Sequence, residues 1–266
     1  MKFLKYSTAI IIGTCLMAYC SMPDHRLSTE QQNKIWESVL NLDHSVNHSE
    51  YFEIEPTTDE EFSRGVRPGE IMIHFANGGF TPGSRYRLFR TLTGNKSEFM
   101  GDVIALDSGE LIIKGERNIE LKNFHILVFG HMLGEESAFT LMSEDGQTYL
   151  TAVAVQKPII AQGADGITMR VRLYSRIADM VLLQCSGLKP NEELNLMSTS
   201  CNEVHHNEGK ADANGWFQHF TNPCVIGSQG GEGSFVIFRK NGDYLKINYL
   251  WGEEAIKTAR VGLENH

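Results

Sequence analysis

Positive charge is what this chain most lacks: 24 Lys and Arg stand against 33 Asp and Glu, a formal net charge of -9 at pH 7. Such a chain is repelled by nucleic acid and by anionic lipid headgroups, so neither is expected as a partner. Long apolar runs are missing as well. Beyond the N-terminus no segment approaches the ~18 apolar residues of a membrane-spanning helix, so any membrane attachment would be through a lipid. Catalytic signatures are equally scarce, since no Gly-x-Ser-x-Gly, His-Glu-x-x-His or Lys-Thr-Gly occurs. Cysteines number five: Cys15 and Cys20 near the start, and Cys185, Cys201 and Cys224 in the C-terminal half.

Lys2 and Lys5 form a short positive start, an apolar stretch runs from Ala9 to Ala18, and no acidic residue precedes Asp24. Residues 1–20 therefore resemble a secretory signal peptide, too short to span a bilayer. Leu16-Met17-Ala18-Tyr19-Cys20 is similar to a bacterial lipobox, whose cysteine carries the lipid, although Tyr19 stands where that pattern wants a small residue. Ile12-Gly13-Thr14-Cys15 is a second imperfect match. Lipidation at Cys20 and an ordinary cut after Ala18 or Cys20 are both open. The resemblance implies an exported protein, periplasmic or anchored to the outer membrane as a lipoprotein and conceivably surface-exposed.

About 245 residues remain, enough for two domains with their own cores. Residues 21–50 read as a polar lead-in containing a short helix. Ser28 and Gln31 form a capping box, and Ile35, Val39 and Leu42 recur at helical spacing over about 29–41. His44 to His48 has no periodicity and reads as a loop. From about residue 51 the period becomes two, with Ile71, Ile73 and Phe75 alternating with Met72 and His74. Strands are expected near 101–106, 110–115, 123–129, 136–142 and 148–156. In the second half they are expected near 168–174, 179–186, 192–198, 209–220, 234–239 and 243–250.

Three punctuation points recur in the same order, roughly 105 residues apart. Gly79-Phe80-Thr81-Pro82-Gly83 is echoed by Gly187-Leu188-Lys189-Pro190-Asn191. Asp107-Ser108-Gly109 is echoed by Asp212-Ala213-Asn214-Gly215, and Asp145-Gly146 by Asn241-Gly242. The fold predicted is all-β: two tandem β-sandwich domains, 51–160 and 161–266, with one large barrel as the runner-up. The Gly-apolar-x-Pro corner resembles that of bacterial immunoglobulin-like and fibronectin-type-III-like domains. The Ala-Asp-x-Asn-Gly-aromatic stretch also resembles such domains, including the immunoglobulin-like N-terminal module of acyl-CoA thioesterases. A shared sandwich implies a fold and carries no function.

In an exported chain the cysteines of the second copy point to a disulfide. Cys185 shares a strand face with Val181 and Leu183 and reads as a buried hydrophobe. Cys201 and Cys224 sit in polar surroundings, and a bridge between them would close a loop of about 22 residues worth roughly 3 kcal/mol. The competing reading is zinc held by Cys201, His205, His219 and Cys224. Ser186 and Lys189 match Ser-x-x-Lys, but Pro190 follows at once and the first copy lacks both residues at that corner. Gly227 to Gly233 suggests a phosphate loop, yet it leads into a strand-like stretch and carries Glu232, so a mobile connecting loop is expected. Trp216, Phe217 and Phe220 place aromatics on both faces of one strand, one of them a candidate contact surface.

The function expected is non-catalytic: an exported envelope protein acting through protein contacts or as a spacer, with no cofactor and no metal. The alternative is a glycan- or peptide-binding module using the cleft between domains or the 227–233 loop. Because Cys201, Cys224 and the glycines Gly230 and Gly231 belong only to the second copy, a specialised site is sought there, with Trp216 beside it. A hydrolase using Ser186, or a metal at Cys201 and His205, stands last.

Overall fold

A computed structural model describes residues 27–40, 52–56, 71–115, 117–128, 132–155, 157–163 and 165–260. The expected signal peptide, Cys20 and the 41–50 loop lie outside the described residues. Helix α1, Thr29–Leu40, starts as the capping box requires. The Ser28 amide donates to Gln31 Oε1 at 3.0 Å, and the Gln31 amide donates to Ser28 Oγ at 3.1 Å. Two of the N–H groups that the helix start leaves unpaired are thereby satisfied.

The strands of the first half are β1 (Phe52–Pro56), β2 (Ile71–Asn77), β3 (Arg85–Leu92), β4 (Glu98–Ala105), β5 (Leu111–Ile113), β6 (Ile119–Glu120), β7 (Ile126–Val128), β8 (Glu136–Ser143) and β9 (Tyr149–Val155). They form an antiparallel sheet β1-β2-β7 and a second sheet β6-β5-β4-β3-β8-β9. Phe52 and Phe75 of the smaller sheet share one core with Leu88, Val103, Phe139 and Leu141 of the larger. Strand β8 is buried along nearly its whole length because both of its faces are covered. Phe139 and Leu141 face that core, while Ala138 and Met142 meet Ile35 and Val39 of α1 on the far side.

The second half holds β10 (Ile159–Gln162), β11 (Thr168–Leu173), β12 (Val181–Ser186), β13 (Glu193–Ser200), β14 (Glu203–Lys210), β15 (Phe217–Thr221), β16 (Gly230–Arg239), β17 (Tyr244–Trp251) and a helix α2 (Gly252–Arg260). The sheets are β10-β11-β12-β15 and β14-β13-β16-β17, again antiparallel, and their apolar faces share one core. The chain is thus all-β apart from two α-helices and one short 3₁₀ turn among the described residues. Several elements escaped the sequence reading, among them the short strands β1 and β6 and three more. Strand β10 is four residues long, β14 has no apolar face, and α2 follows directly on β17.

The three repeated punctuation points occupy the same places in both halves. The first precedes β3 and β13, the second follows β4 and β14, and the third joins β8 to β9 and β16 to β17. Their hydrogen bonds match. The Phe80 amide donates to Gly109 O at 3.2 Å, and the Leu188 amide to Gly215 O at 3.1 Å. The Ala105 amide donates to Ser84 O at 2.9 Å, and the Ala211 amide to Glu192 O at 2.9 Å. Gly83 and Asn191 occupy one turn position with φ of 78° and 57°, a left-handed conformation that glycine and asparagine adopt most easily.

Two expectations for the second half need correction. The 227–233 stretch is a connecting loop only as far as Gln229, since Gly230–Gly233 begin β16. Their lack of side chains admits neighbours: a Cβ on Gly230 would lie 2.6 Å from the Glu253 amide nitrogen, and one on Gly233 would lie 2.5 Å from the Tyr249 ring. The Cys201–Cys224 bridge is also not formed. Cys201 turns the chain from β13 into β14 with φ of 50°, and its Sγ lies 3.0 Å from where a Cβ on Gly231 would stand. Cys224 Sγ instead lies 4.0 Å from the Asp179 carbonyl oxygen, so the two thiols face different neighbours although Ser200 Oγ donates to Pro223 O.

Candidate functional site

Two features of the surface are built in a way that packing alone does not require. The first lies where α1 meets both halves of the chain. Arg172 of β11 sends Nε to Glu136 Oε1 and Nη2 to Glu136 Oε2, both at 2.6 Å, and Nη2 also reaches Val39 O at 3.0 Å. Arginine and glutamate side chains are 4% and 6% exposed, so this bidentate pair is desolvated and ties β8, β11 and the end of α1 together. Arg172 Nη1 is buried with no partner among the described residues.

The turn between β3 and β4 completes this junction. Gln32 of α1 donates Nε2 to Ser97 Oγ at 2.8 Å and accepts the Ser97 amide at 3.1 Å, which fastens the helix to the turn. Gly94 has φ of 67°, and a Cβ there would lie 2.9 Å from the backbone nitrogen of Arg176, in the loop after β11. Between these walls lies a groove of about 520 Å³ lined by Asn33, Trp36, Glu37, Asn95, Lys96 and Tyr174. The Trp36 and Tyr174 rings are 6.0 Å apart and inclined at 56°, and Phe220 meets Tyr174 edge-on at 5.0 Å.

Strand β15 therefore does present aromatics on two faces. Phe217 is buried in the core, with His219 half-buried between it and Phe235, while Phe220 lies on the outer face, 48% exposed. Burial pushes the His219 imidazole below its ordinary value. Trp216 sits just before the strand, half-buried, with its amide donating to Asp212 Oδ1 at 2.9 Å.

The second feature is β14. It pairs with β13 along eight residues and, among the described residues, has no strand on its other side. Every residue except Gly209 is exposed. In the first half the matching strand β4 is instead paired with β5 over Val103–Ala105, and β6 extends that sheet beyond β5.

The residues proposed for zinc do not converge. His205 lies on exposed β14 beside Glu203, whereas His219 is packed in the core of the opposite sheet pair. No cluster of three or more His, Cys, Asp or Glu side chains placed to hold a metal occurs among the described residues. Gly230 and Gly231 serve the packing of α2 and Trp251, and Cys201 rests on Gly231. Ser186 ends β12, and the backbone amide of Lys189 is engaged with Glu192 Oε2 at 2.8 Å in the repeated corner. Sequence reasoning missed Tyr174, Asn95 and the role of Trp36. One signal was available: Trp36 lies a third of a helical turn from the Ile35–Val39 stripe, where a large aromatic has no reason to face the core.

No protein-family model matches the chain, and no curated protein matches it. A similar solved structure is the tetra-tandem repeat in the extending region of a large adhesion protein, at 11% identity and a TM-score of 0.26. That likeness covers 76% of this chain, which spans about half, 48%, of the neighbour's length.

Proposed function

We propose that this is an exported, non-catalytic protein of two immunoglobulin-like domains that works by contact with another envelope or extracellular protein. The observation that carries the reading is the open β14 edge. Alternate residues of its eight present backbone donors and acceptors on a side that no described strand pairs, the template used when a partner adds a strand. The equivalent edge of the first copy is paired with β5 over Val103–Ala105, so only the second copy leaves this edge without a described partner along its whole length.

The strand order supports the domain assignment. Sheets β1-β2-β7 and β11-β12-β15 fit the A-B-E half of an immunoglobulin-like sandwich, and β4-β3-β8-β9 and β14-β13-β16-β17 fit its C′-C-F-G half. Strands β5, β6 and β10 are additions. Pairing of β10 with β11 supports a division of the chain shortly before Ile159, close to the expected boundary at 160/161. Export, with an anchor at Cys20, is part of the same proposal and is tested by metabolic palmitate labelling of the chain, lost in Cys20→Ser.

The contact is tested with the purified chain as bait for an envelope extract. One stoichiometric protein should co-elute on size exclusion. Adjacent β14 residues point their N–H groups alternately at β13 and at the open side. Of His206→Pro and Asn207→Pro, the one facing the open side should keep the thermal transition and lose the partner. Retention of the partner by both variants would sink the edge as the contact surface.

A further inference from the structure

We infer that the groove between α1, the β3–β4 turn and Tyr174 is a binding site for a neutral oligosaccharide. It goes beyond protein contact at β14 and uses a different face. Its volume of about 520 Å³ falls within the range of small-ligand sites. The chemistry of its lining narrows the ligand class.

Trp36 and Tyr174 are half-buried rings that meet at an angle, so each offers part of a face to the groove. An aromatic face carries negative charge density and attracts weakly positive C–H groups. The axial C–H face of a pyranose ring is such a surface, flat and free of hydroxyls. Around the rings stand Asn33 and Asn95, each with one acceptor oxygen and an NH₂ donor in fixed geometry. Vicinal hydroxyls of a sugar donate and accept together, and a planar amide matches both. Glu37 adds an acceptor and Lys96 a donor, so the charged residues of the lining cancel. An anionic polymer would gain little there and would meet a chain of net charge -9.

Two further observations point to a ligand site rather than a surface dent. The walls are fixed before anything binds: Gln32 holds the helix to Ser97, and Gly94 holds the turn against Arg176. A site that need not order itself loses less free energy on binding. Under the rings a small void is lined by Trp36, Tyr174, Thr91, Thr93, Glu136 and Arg172. Arg172, whose Nη1 is buried with no partner among the described residues, is part of that lining, and the void has room for about one water that could bridge to a bound hydroxyl.

The test uses maltohexaose, cellohexaose and N-acetylchitohexaose as neutral probes, polygalacturonate as the anionic comparator and an equimolar pool of random hexapeptides. Binding to the full chain is followed by titration calorimetry and tryptophan fluorescence. At least one neutral sugar should bind saturably and shift the emission. Trp36→Ala should weaken it by about tenfold, the equivalent of ~1.4 kcal/mol, and abolish the shift. Because Trp36 sits on a packed helix, Asn95→Ala and Lys96→Ala provide the second arm. Both lie in the turn, should leave the thermal transition in place and should weaken binding several-fold. The β14 proline variants should bind sugar normally, which separates this site from the protein-contact reading. Four results overturn the inference: no saturable neutral sugar, binding only of polygalacturonate, binding only of peptide, or sugar binding indifferent to all three groove variants.

Discussion

Arg172 brings five N–H donors into a place from which water is almost excluded. Its partner Glu136 takes two of them, and Val39 O shares one of the same nitrogens. Removing only the cation takes both charged hydrogen bonds to Arg172 from a buried carboxylate, so Arg172→Met should cost about 3–5 kcal/mol in urea denaturation. Adding Glu136→Leu should return much of that loss, because two apolar groups of similar volume leave no charge unpaired. A cost below about 1 kcal/mol for the single variant would show that solvent reaches the pair. His219 makes a pH argument of opposite character. Its folded value is depressed by burial, so below the ordinary value the unfolded chain binds the extra proton and the folded chain does not. The stability this residue permits is therefore full above the ordinary histidine range and falls as pH drops through it. His219→Leu should flatten the pH dependence of the melting temperature between pH 7 and 5; an unchanged slope would assign it to other groups. The thiols differ by environment too. Cys201 and Cys224 are exposed, while burial pushes Cys185 up to about 12. Alkylation of native protein mapped by mass spectrometry should mark Cys201 and Cys224 and spare Cys185 until the chain is unfolded. Protection of both exposed thiols in the native chain would instead mean that they are bridged.

At the scale of elements, α2 is held by glycine as much as by its own apolar side. Gly252 bridges to Gly230, and the Glu253 amide reaches Gln229 O at 3.0 Å, so the helix begins in backbone contact with β16. Ala255 then enters the second core, and Thr258 Oγ1 accepts the Leu133 amide at 3.1 Å. Gly230→Ala should push the helix start away from Trp251, lowering stability by a few kcal/mol and exposing amides of 253–260 to hydrogen exchange. Exchange confined to residue 230 would mean that the strand absorbs the methyl group. The same elements show what a sequence can carry. Helix α1 was legible because its cap and its apolar stripe are both local. Strands β8 and β12 were legible as apolar runs. Strand β14 was not, because a strand with no buried face has no alternation to read, and Glu203 to Lys210 resembles a polar loop. Helix α2 was hidden by sequence continuity: nothing between Trp251 and Gly252 announces a boundary except a glycine. The run Gly230 to Gly233 misled for a related reason, since close packing and looseness both select glycine.

For the whole molecule the duplication was the most legible feature, because turns with fixed dihedral demands must repeat wherever the fold repeats. The groove was not legible. Its lining comes from α1, the β3–β4 turn and the end of β11, which sequence keeps far apart and only the junction brings together. That junction also decides how the molecule unfolds. Arg172, Glu136 and Val39 link the two cores through buried contacts, Gly94 abuts Arg176, and Met132 from the first half belongs to the second core. Two cores coupled this firmly should melt together, in one calorimetric transition whose calorimetric and van't Hoff enthalpies agree. Gly94→Val presents a β-branched side chain at a positive φ and against backbone, so it should loosen the joint without touching either core. Combined with Arg172→Met and Glu136→Leu, which removes the pair and leaves no stranded charge, it should split the endotherm into two transitions. The order of melting follows from the cover each core has: the second is sealed by α2, whereas the first gives up the support of α1 when the joint opens. The first half should therefore melt at the lower temperature, with Trp36 reporting that step by fluorescence. A single transition that persists through all three substitutions would mean that the halves are coupled by contacts other than these.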